Sequence, residues 1–566
     1  MTTRPWHADP GHAPEALEAV SRDTGVPLSW MDGVLRVDGR PVRLPDKLVG
    51  EDSALFGIAG MLPSVPRGDS RDRLLWRMLQ ETRPAGQQAP ALDAELYEQL
   101  PDLLRVNDPD GQEALAGALR ERYYTRDKAP FLLPLQTDLP YGFSHTKRST
   151  VQGVPTPKAY TGYRMFAGDL LPFLCWKGEK PDEALLQELL DKLNDDSAVT
   201  RLDSVLLQAA RQLSGVRDQK ALADVLIDRN LDRLGEDFAY GSFCQPQLDR
   251  FQRDLRTLLA TELPRPDFVR WVTVLISLHA SLLMYRVAVV QSARLDRAVA
   301  AAHELPTPGA AYRCEGLANC PLAGQLMFRT GTGGYRPVSR RDACHTSWQK
   351  VDGKHLLSLP ATLITANLAA RVWESLGGPA AHRPDLTRLA DGLAGDAELR
   401  RRFNAGAAAV TVLHHHAHWA QTTMRTKGMP HPTLEELLQA ADVGGGRSGL
   451  LALRENVTRL RRSDLRKQSR DVVNQLMLHQ VGGLLSRNGT SMTFYEVDED
   501  LLTLLVRLVC RDEPVSFESF LSGLAEYGLQ PQDAAERERL TQSLERLGLL
   551  VRFSDAGEAT YVRYNR

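Results

Sequence analysis

The side chains best suited to grip a charged ligand lie between Arg454 and Arg470. Arg454, Arg459, Arg461, Arg462, Arg466, Lys467 and Arg470 supply seven positive charges, and Glu455 and Asp464 leave a local excess of five. On a helix, Arg459, Arg462, Arg466 and Arg470 fall at i, i+3, i+7 and i+11, so they share one face. Such a stripe can track nucleic-acid phosphates, each contact adding salt-dependent affinity by releasing counterions. A solvated helix face is the commoner use of a charge run and needs no ligand. A second stretch interleaves aromatic rings with cations: Tyr141, Phe143, His145, Lys147, Arg148, Lys158, Tyr160, Tyr163 and Arg164. Those rings could stack on unpaired bases, while an ordered loop over a core has the same composition.

Two groups have metal-ligand chemistry. Cys314, Cys320, Cys344 and His345 share one helix-poor segment. A structural zinc needs four converging soft ligands, usually in pairs about two to four residues apart. The Cys-x5-Cys spacing is longer than that, and the adjacent second pair makes shared coordination awkward; the alternative is buried free thiols. His414 and His418 fall at i and i+4, the spacing that lets two imidazoles meet one metal on a helix. No glutamate follows His414 to act as a base, so a packed histidine turn is the simpler reading. The expectation is therefore no cofactor, with zinc as the alternative.

Gly331-Thr332-Gly333-Gly334 lacks the Gly-Lys-Ser/Thr ending of a phosphate loop and reads as a turn. No nucleophile elbow, kinase motif set or paired catalytic carboxylates can be picked out. The chain is expected not to be an enzyme.

The elements that must position these residues are mostly helical, and 566 residues suggest about four domains. The pattern predicts a mainly α, multi-domain protein with a small N-terminal β-hairpin region and a C-terminal winged-helix-like module. Its expected divisions are a strand-bearing cap (1–48), a helical segment (49–130), a Pro/Gly-rich loop region (131–180), a helical core (181–305), a Cys/Gly/Arg-rich insertion (306–355), a helical domain (356–443), a basic helical linker (450–490) and the C-terminal module (491–566). Leu28 to Leu44 has two apolar runs with Asp-Gly turns, a hairpin signal. Leu92, Leu96 and Leu100 form a helical row that Pro101 should end. Leu185, Leu186, Leu189, Leu190 and Leu193 make one amphipathic face. Asp267 is expected to cap a long helix from Phe268 to His303.

At the C-terminus, Asp498 to Cys510 reads as an acidic-capped helix. Ser516 should cap a second, ended by Gly528, and Asp533 with Glu536 should open a third as a capping box, ended by Gly548. Leu549–Phe553 and Ala559–Arg563 then form a hairpin. Three helices followed by a hairpin is the winged-helix order. The third helix mixes Asp533, Glu536, Glu538 and Glu545 with Arg537, Arg539 and Arg546, which suits solvent or a protein partner more than a groove. Arg552, Arg563 and Arg566 would stand at the hairpin's edges, able to touch phosphate or an acidic partner.

The ending around Ser554, Asp555, Gly557, Glu558, Ala559, Tyr561 and Val562, with the helix before it and the Glu526-Tyr527-Gly528 stop, resembles a bacterial family: the G subunit of phosphorothioation-dependent DNA restriction systems, which defend against phage. The resemblance covers about 70 residues of the 566. It implies a non-enzymatic accessory subunit of a DNA-targeting complex, working beside partner proteins that include a DNA-translocating ATPase. It carries over no catalytic residues. A pure protein-interaction scaffold and a metal-dependent enzyme using the His414–His418 turn are the competing readings.

Composition limits these options. The 69 basic and 71 acidic residues give a net charge of −2, so contact with duplex DNA must be local. The opening residues are not a secretory leader, and six scattered cysteines suit a reducing compartment, so a cytoplasmic protein is expected. The most apolar stretch, Trp271 to Tyr285, falls short of the roughly 20 residues that cross a bilayer and reads as a buried central helix around His279.

Overall fold

A computed structural model describes residues 11–31, 33–44, 92–104, 108–123, 171–194, 244–306, 326–330, 355–379, 386–423, 430–460, 485–488, 492–553 and 559–564, with a few single positions left out of these ranges and a few others described outside them. Among them, helix α1 (Ala13–Thr24) precedes strands β1 (Leu28–Met31), β2 (Val34–Val37) and β3 (Arg40–Val42). Helices α2 (Leu92–Leu103) and α3 (Pro109–Tyr123) come next, then β4 (Trp176–Lys177), β5 (Lys180–Pro181), α4 (Glu183–Asn194), α5 (Gln245–Leu259), α6 (Arg265–Ala302) and β6 (Leu326–Thr330). After these stand α7 (His355–Ser375), α8 (Leu386–Gly395), α9 (Ala397–Thr423), α10 (Leu434–Ala441) and α11 (Gly449–Leu460). The last stretch holds β7 (Leu485–Asn488), β8 (Met492–Val497), α12 (Glu499–Cys510), β9 (Val515–Ser516), α13 (Phe517–Glu526), β10 (Leu529–Pro531), α14 (Ala534–Arg546), β11 (Leu550–Phe553) and β12 (Ala559–Val562).

The N-terminal hairpin signal becomes a three-stranded antiparallel sheet in the order β1-β2-β3. Asp38 and Gly39 both take positive φ (51° and 75°), the geometry of the two-residue turn that Asp-Gly favours. Leu35, Val37 and Val42 point inward and Arg36 outward, the alternation of a sheet with one wet face.

Pro101 does not end its helix. It lies inside α2, where proline cannot donate to the carbonyl four residues back. That carbonyl, of Tyr97, is served instead by Arg120 of α3, whose Nε and Nη2 donate to it at 3.0 and 2.7 Å. The guanidinium also lies 4.8 Å from the Tyr97 ring centroid, so a neighbouring helix makes the proline tolerable.

Helix α6 is the axis of the body. It spans 38 residues, packs against α5, α7 and α8, and is buried on every side from Trp271 to Leu283. Its segment Asp267–Ala302 is long and apolar enough to cross a membrane, which the 15-residue estimate missed, yet its apolar window is entirely buried within the protein. Asp267 lies in the first turn without capping it; the N-cap is Pro264. Most buried apolar side chains, from Ala13 to Val562, join into one cluster, while Leu100, Leu104, Ala116 and Leu119 of the α2–α3 pair are buried outside it.

In the C-terminal stretch the local signals hold. Asp498, Ser516 and Asp533 accept the backbone N–H groups of Leu501 (2.8 Å), Ser519 (3.1 Å) and Glu536 (2.9 Å). Gly528 and Gly548 take φ of 89° and 68°. The hairpin β11–β12 gains a third strand, β9. The capping box is only half formed: the Glu536 carboxylate accepts the Thr330 N–H at 3.1 Å and pairs with Arg539. Thr330 belongs to β6, which is inserted between β10 and β8 in a four-stranded sheet, parallel to both.

Candidate functional site

The densest polar chemistry among the described residues is buried where α5, α6 and the end of α13 meet. Gln247, Arg250 and Asp254 fall at i, i+3 and i+7, one face of α5. His279 and Arg286 are seven residues apart on α6, and Tyr527 caps the C-terminus of α13. His279 is 0% exposed and Asp254 2%. Asp254 Oδ2 accepts the Tyr527 hydroxyl at 2.7 Å and lies 3.0 Å from His279 Nε2, while its other oxygen is 3.4 Å from Arg250 Nε. Arg250 Nε donates to the Tyr527 oxygen at 3.0 Å, its guanidinium lies 4.3 Å from the Tyr527 ring centroid, and its Nη1 pairs with Glu526. Arg286 Nη2 donates to the Glu526 carbonyl at 3.3 Å.

These contacts fix the imidazole's proton. A carboxylate can only accept, so Nε2 carries the hydrogen. Nδ1 then accepts from the Gln247 amide, 2.6 Å away. Burial holds the His279 pKa below its ordinary value against the raising pull of Asp254, so the ring is neutral near pH 7. Burial opposes the Arg250 charge, but Tyr527, Asp254 and Glu526 outweigh it and raise its pKa; burial and Asp254 raise that of the Tyr527 phenol. An Asp–His–Tyr chain can relay protons in an enzyme, but here both ring nitrogens are occupied inside the protein. Its chemical effect is to fasten α13 and the adjoining strand β10 to the central helices. Arg507 adds a second tie: its Nε donates to Thr261 Oγ1 at 3.0 Å at the α5–α6 junction, and its Nη1 reaches Asp512 at 3.1 Å.

The histidine turn lies in α9 against α11. Asn456 of α11 donates to His414 Nδ1 at 3.3 Å and to the Thr411 carbonyl at 3.4 Å, while its Oδ1 is 3.2 Å from His415 Nδ1. Arg459 Nη2 donates to Asn456 Oδ1 at 3.5 Å. Burial, with repulsion from Arg459, lowers the His415 pKa. His416 instead meets Trp419 and His431 edge-on. The turn packs as the simpler reading has it: His414 and His415 are joined through the Asn456 amide, and the alternative pairing of His414 with His418 on a metal is not what organises it. Among the described residues no three His, Cys, Asp or Glu side chains converge as metal ligands. Cys320 is half-buried and free; Cys314, Cys344, His345 and the Gly331–Gly334 turn lie outside the described residues. Burial pushes the Cys510 thiol up to about 12, and that of Cys175 higher still, so both are protonated and unreactive.

The arginine run is described only at its start. Arg454 pairs with Asp296 at 2.6 Å and Arg459 is exposed above Asn456, while Arg462, Arg466, Lys467 and Arg470 lie outside the described residues. So does the aromatic–cationic stretch from Tyr141 to Arg164. Arg552 is exposed but pairs with Glu545; Arg563 is exposed, its backbone N–H bonded to the Leu549 carbonyl at 2.9 Å. On α14, Arg537 pairs with Glu518, Arg539 with Glu536 and Arg546 with Glu499. The Arg250–Asp254–His279–Tyr527 network was not read from the sequence. Three polar residues at helical spacing among the α5 apolar positions, and one histidine in the most apolar stretch, were its signals.

No protein-family model and no curated protein matches the chain.

Proposed function

We propose that this chain is a non-enzymatic docking subunit, whose C-terminal residues 498–564 form a winged-helix-like unit used for assembly with partner proteins. Contact with duplex DNA is assigned to the arginine run from Arg459 to Arg470 upstream of it. Helix, short strand, two helices and a hairpin, with β9 as third strand, support the winged-helix reading.

One observation carries the assembly role. DNA-reading units of this kind offer the start of the third helix to base edges. Here that end of α14 lies under β6, with Glu536 buried on the Thr330 N–H, and Arg537, Arg539 and Arg546 each rest on a carboxylate. The resemblance around Ser554 to Val562 supports a bacterial anti-phage, DNA-targeting complex as the assembly, with a DNA-translocating ATPase among the partners. In that setting the chain works in the cytoplasm, off the membrane and without a cofactor.

The test is fluorescence anisotropy of a labelled duplex titrated with the full chain at several salt concentrations. Joint reversal to glutamate at Arg459, Arg462 and Arg466 is expected to weaken binding about tenfold or more and to reduce the salt slope by about three. Reversal at Arg552 leaves it unchanged. Equal binding by the triple variant overturns the duplex contact, and a flat titration of the wild type leaves a purely protein-binding scaffold.

A further inference from the structure

Only three large apolar side chains among the described residues are well exposed: Met31 (64%), Leu305 (54%) and Val34 (36%). Two of them, Met31 and Val34, are direct partners across β1 and β2. Partners in an antiparallel ladder project from the same face. Ser29, Arg36 and Pro41 form the next row on that face, by the registers Ser29↔Arg36 and Arg36↔Pro41. Arg43 is exposed two residues beyond Pro41, in the same phase of the alternation. Arg36 donates to the Gly39 carbonyl at 3.2 Å, and neither it nor Arg43 has an ion pair among the described residues. Among the described residues the outer sheet face is thus an apolar pair flanked by unmatched cations.

The opposite charge lies at the other end of the chain. Residues 498–564 hold thirteen carboxylates and seven arginines, a net charge of −6. Arg507, Arg537, Arg539, Arg546 and Arg552 are matched within that stretch. Glu513 and Glu538 are exposed with no arginine on them among the described residues.

We infer that the outer face of β1–β3 is a self-association surface that receives the acidic C-terminal unit of a second copy of this chain. Unlike charges steer the approach, and the Met31–Val34 pair gives the short-range contact. The two patches differ, so the contact is head-to-tail and repeats into rings or open chains rather than closing as a symmetric dimer.

Sedimentation velocity of the full chain, without nucleic acid, tests it. Concentration-dependent oligomers are expected at about 50 mM salt and should disperse near about 500 mM, where screening is within a few ångströms. Joint Arg36→Glu and Arg43→Glu, exposed positions whose change should leave the thermal melt in place, is expected to give monomers. Mixing that variant with one carrying Glu513→Arg and Glu538→Arg restores association, because the first keeps the acidic C-terminal unit and the second keeps the cationic sheet face. A wild type that is monomeric at every salt and concentration overturns the inference. So does association that survives the arginine reversals, or a mixture of the two variants that stays monomeric.

Discussion

Two histidine clusters in this protein differ in what holds them. His279 is gripped by a carboxylate inside a fully buried net that also contains two arginines and a tyrosine, and that net joins elements far apart in sequence. His414 and His415 are held by the amide of Asn456 at the crossing of α9 and α11, where His414 and Asn456 are buried and His415 is half-buried. The difference teaches where stability is at risk. In the first cluster each charge is tolerated only because the others are present. In the second, a neutral amide can be lost without stranding an ion.

Removing Asp254 should therefore have the largest effect. Asp254→Ala leaves Arg250 and His279 buried with their shared acceptor gone, and about 3–5 kcal/mol of stability should be lost in urea unfolding. Tyr527→Phe removes one hydroxyl that both donates to Asp254 and accepts from Arg250, so a loss of about 1–3 kcal/mol is expected. Asn456→Ala should cost about 1–2 kcal/mol, and hydrogen exchange should place its damage in α9 and α11 rather than in residues 498–564. A loss for Asn456→Ala that matched Asp254→Ala would erase the contrast.

Acid gives a smaller effect of known sign. His279 has a folded pKa below its ordinary 6.5, so the stability tied to its neutral form is complete above that value. It is lost as the pH falls from 6.5 towards the folded pKa, because the unfolded chain takes up the proton first. His415 adds in the same direction. Urea midpoints at pH 7 and pH 5 should show the drop, and His279→Gln should make it shallower. The least effect belongs to Arg552→Ala. Its pair with Glu545 is two-thirds exposed on the arginine side, so a change below about 1 kcal/mol is expected in thermal unfolding.

Much of the local structure was legible. The Asp-Gly turn, the leucine face of α4, the caps Asp498, Ser516 and Asp533, and the stops at Gly528 and Gly548 all depend on neighbours within a few residues. What escaped depends on distant partners. Pro101 stays inside a helix because Arg120 serves the carbonyl it strands, and Glu536 leaves its capping box because β6, some 200 positions away, offers a backbone N–H. The reach of α6 was legible, Phe268–His303 in the sequence against Arg265–Ala302 in the structure, but its apolar stretch was cut short at Tyr285 by the polar residues beyond it. The buried net was visible only as scattered residues: Arg250 and Asp254 read as surface charge until Tyr527 and His279 are brought onto them. The arginine run is legible in sequence alone, through charge.

The central claim is that residues 498–564 are a fixed part of the helical body, fastened through Asp254 and Tyr527, rather than a mobile reading arm. Hydrogen exchange read by mass spectrometry, on wild type and Tyr527→Phe, tests it most directly. The wild type should protect α12 and α13 as strongly as α6, and the variant should lose protection in α13 and β10 first. Rapid exchange throughout residues 498–564 of the wild type, with α6 protected, would contradict the claim.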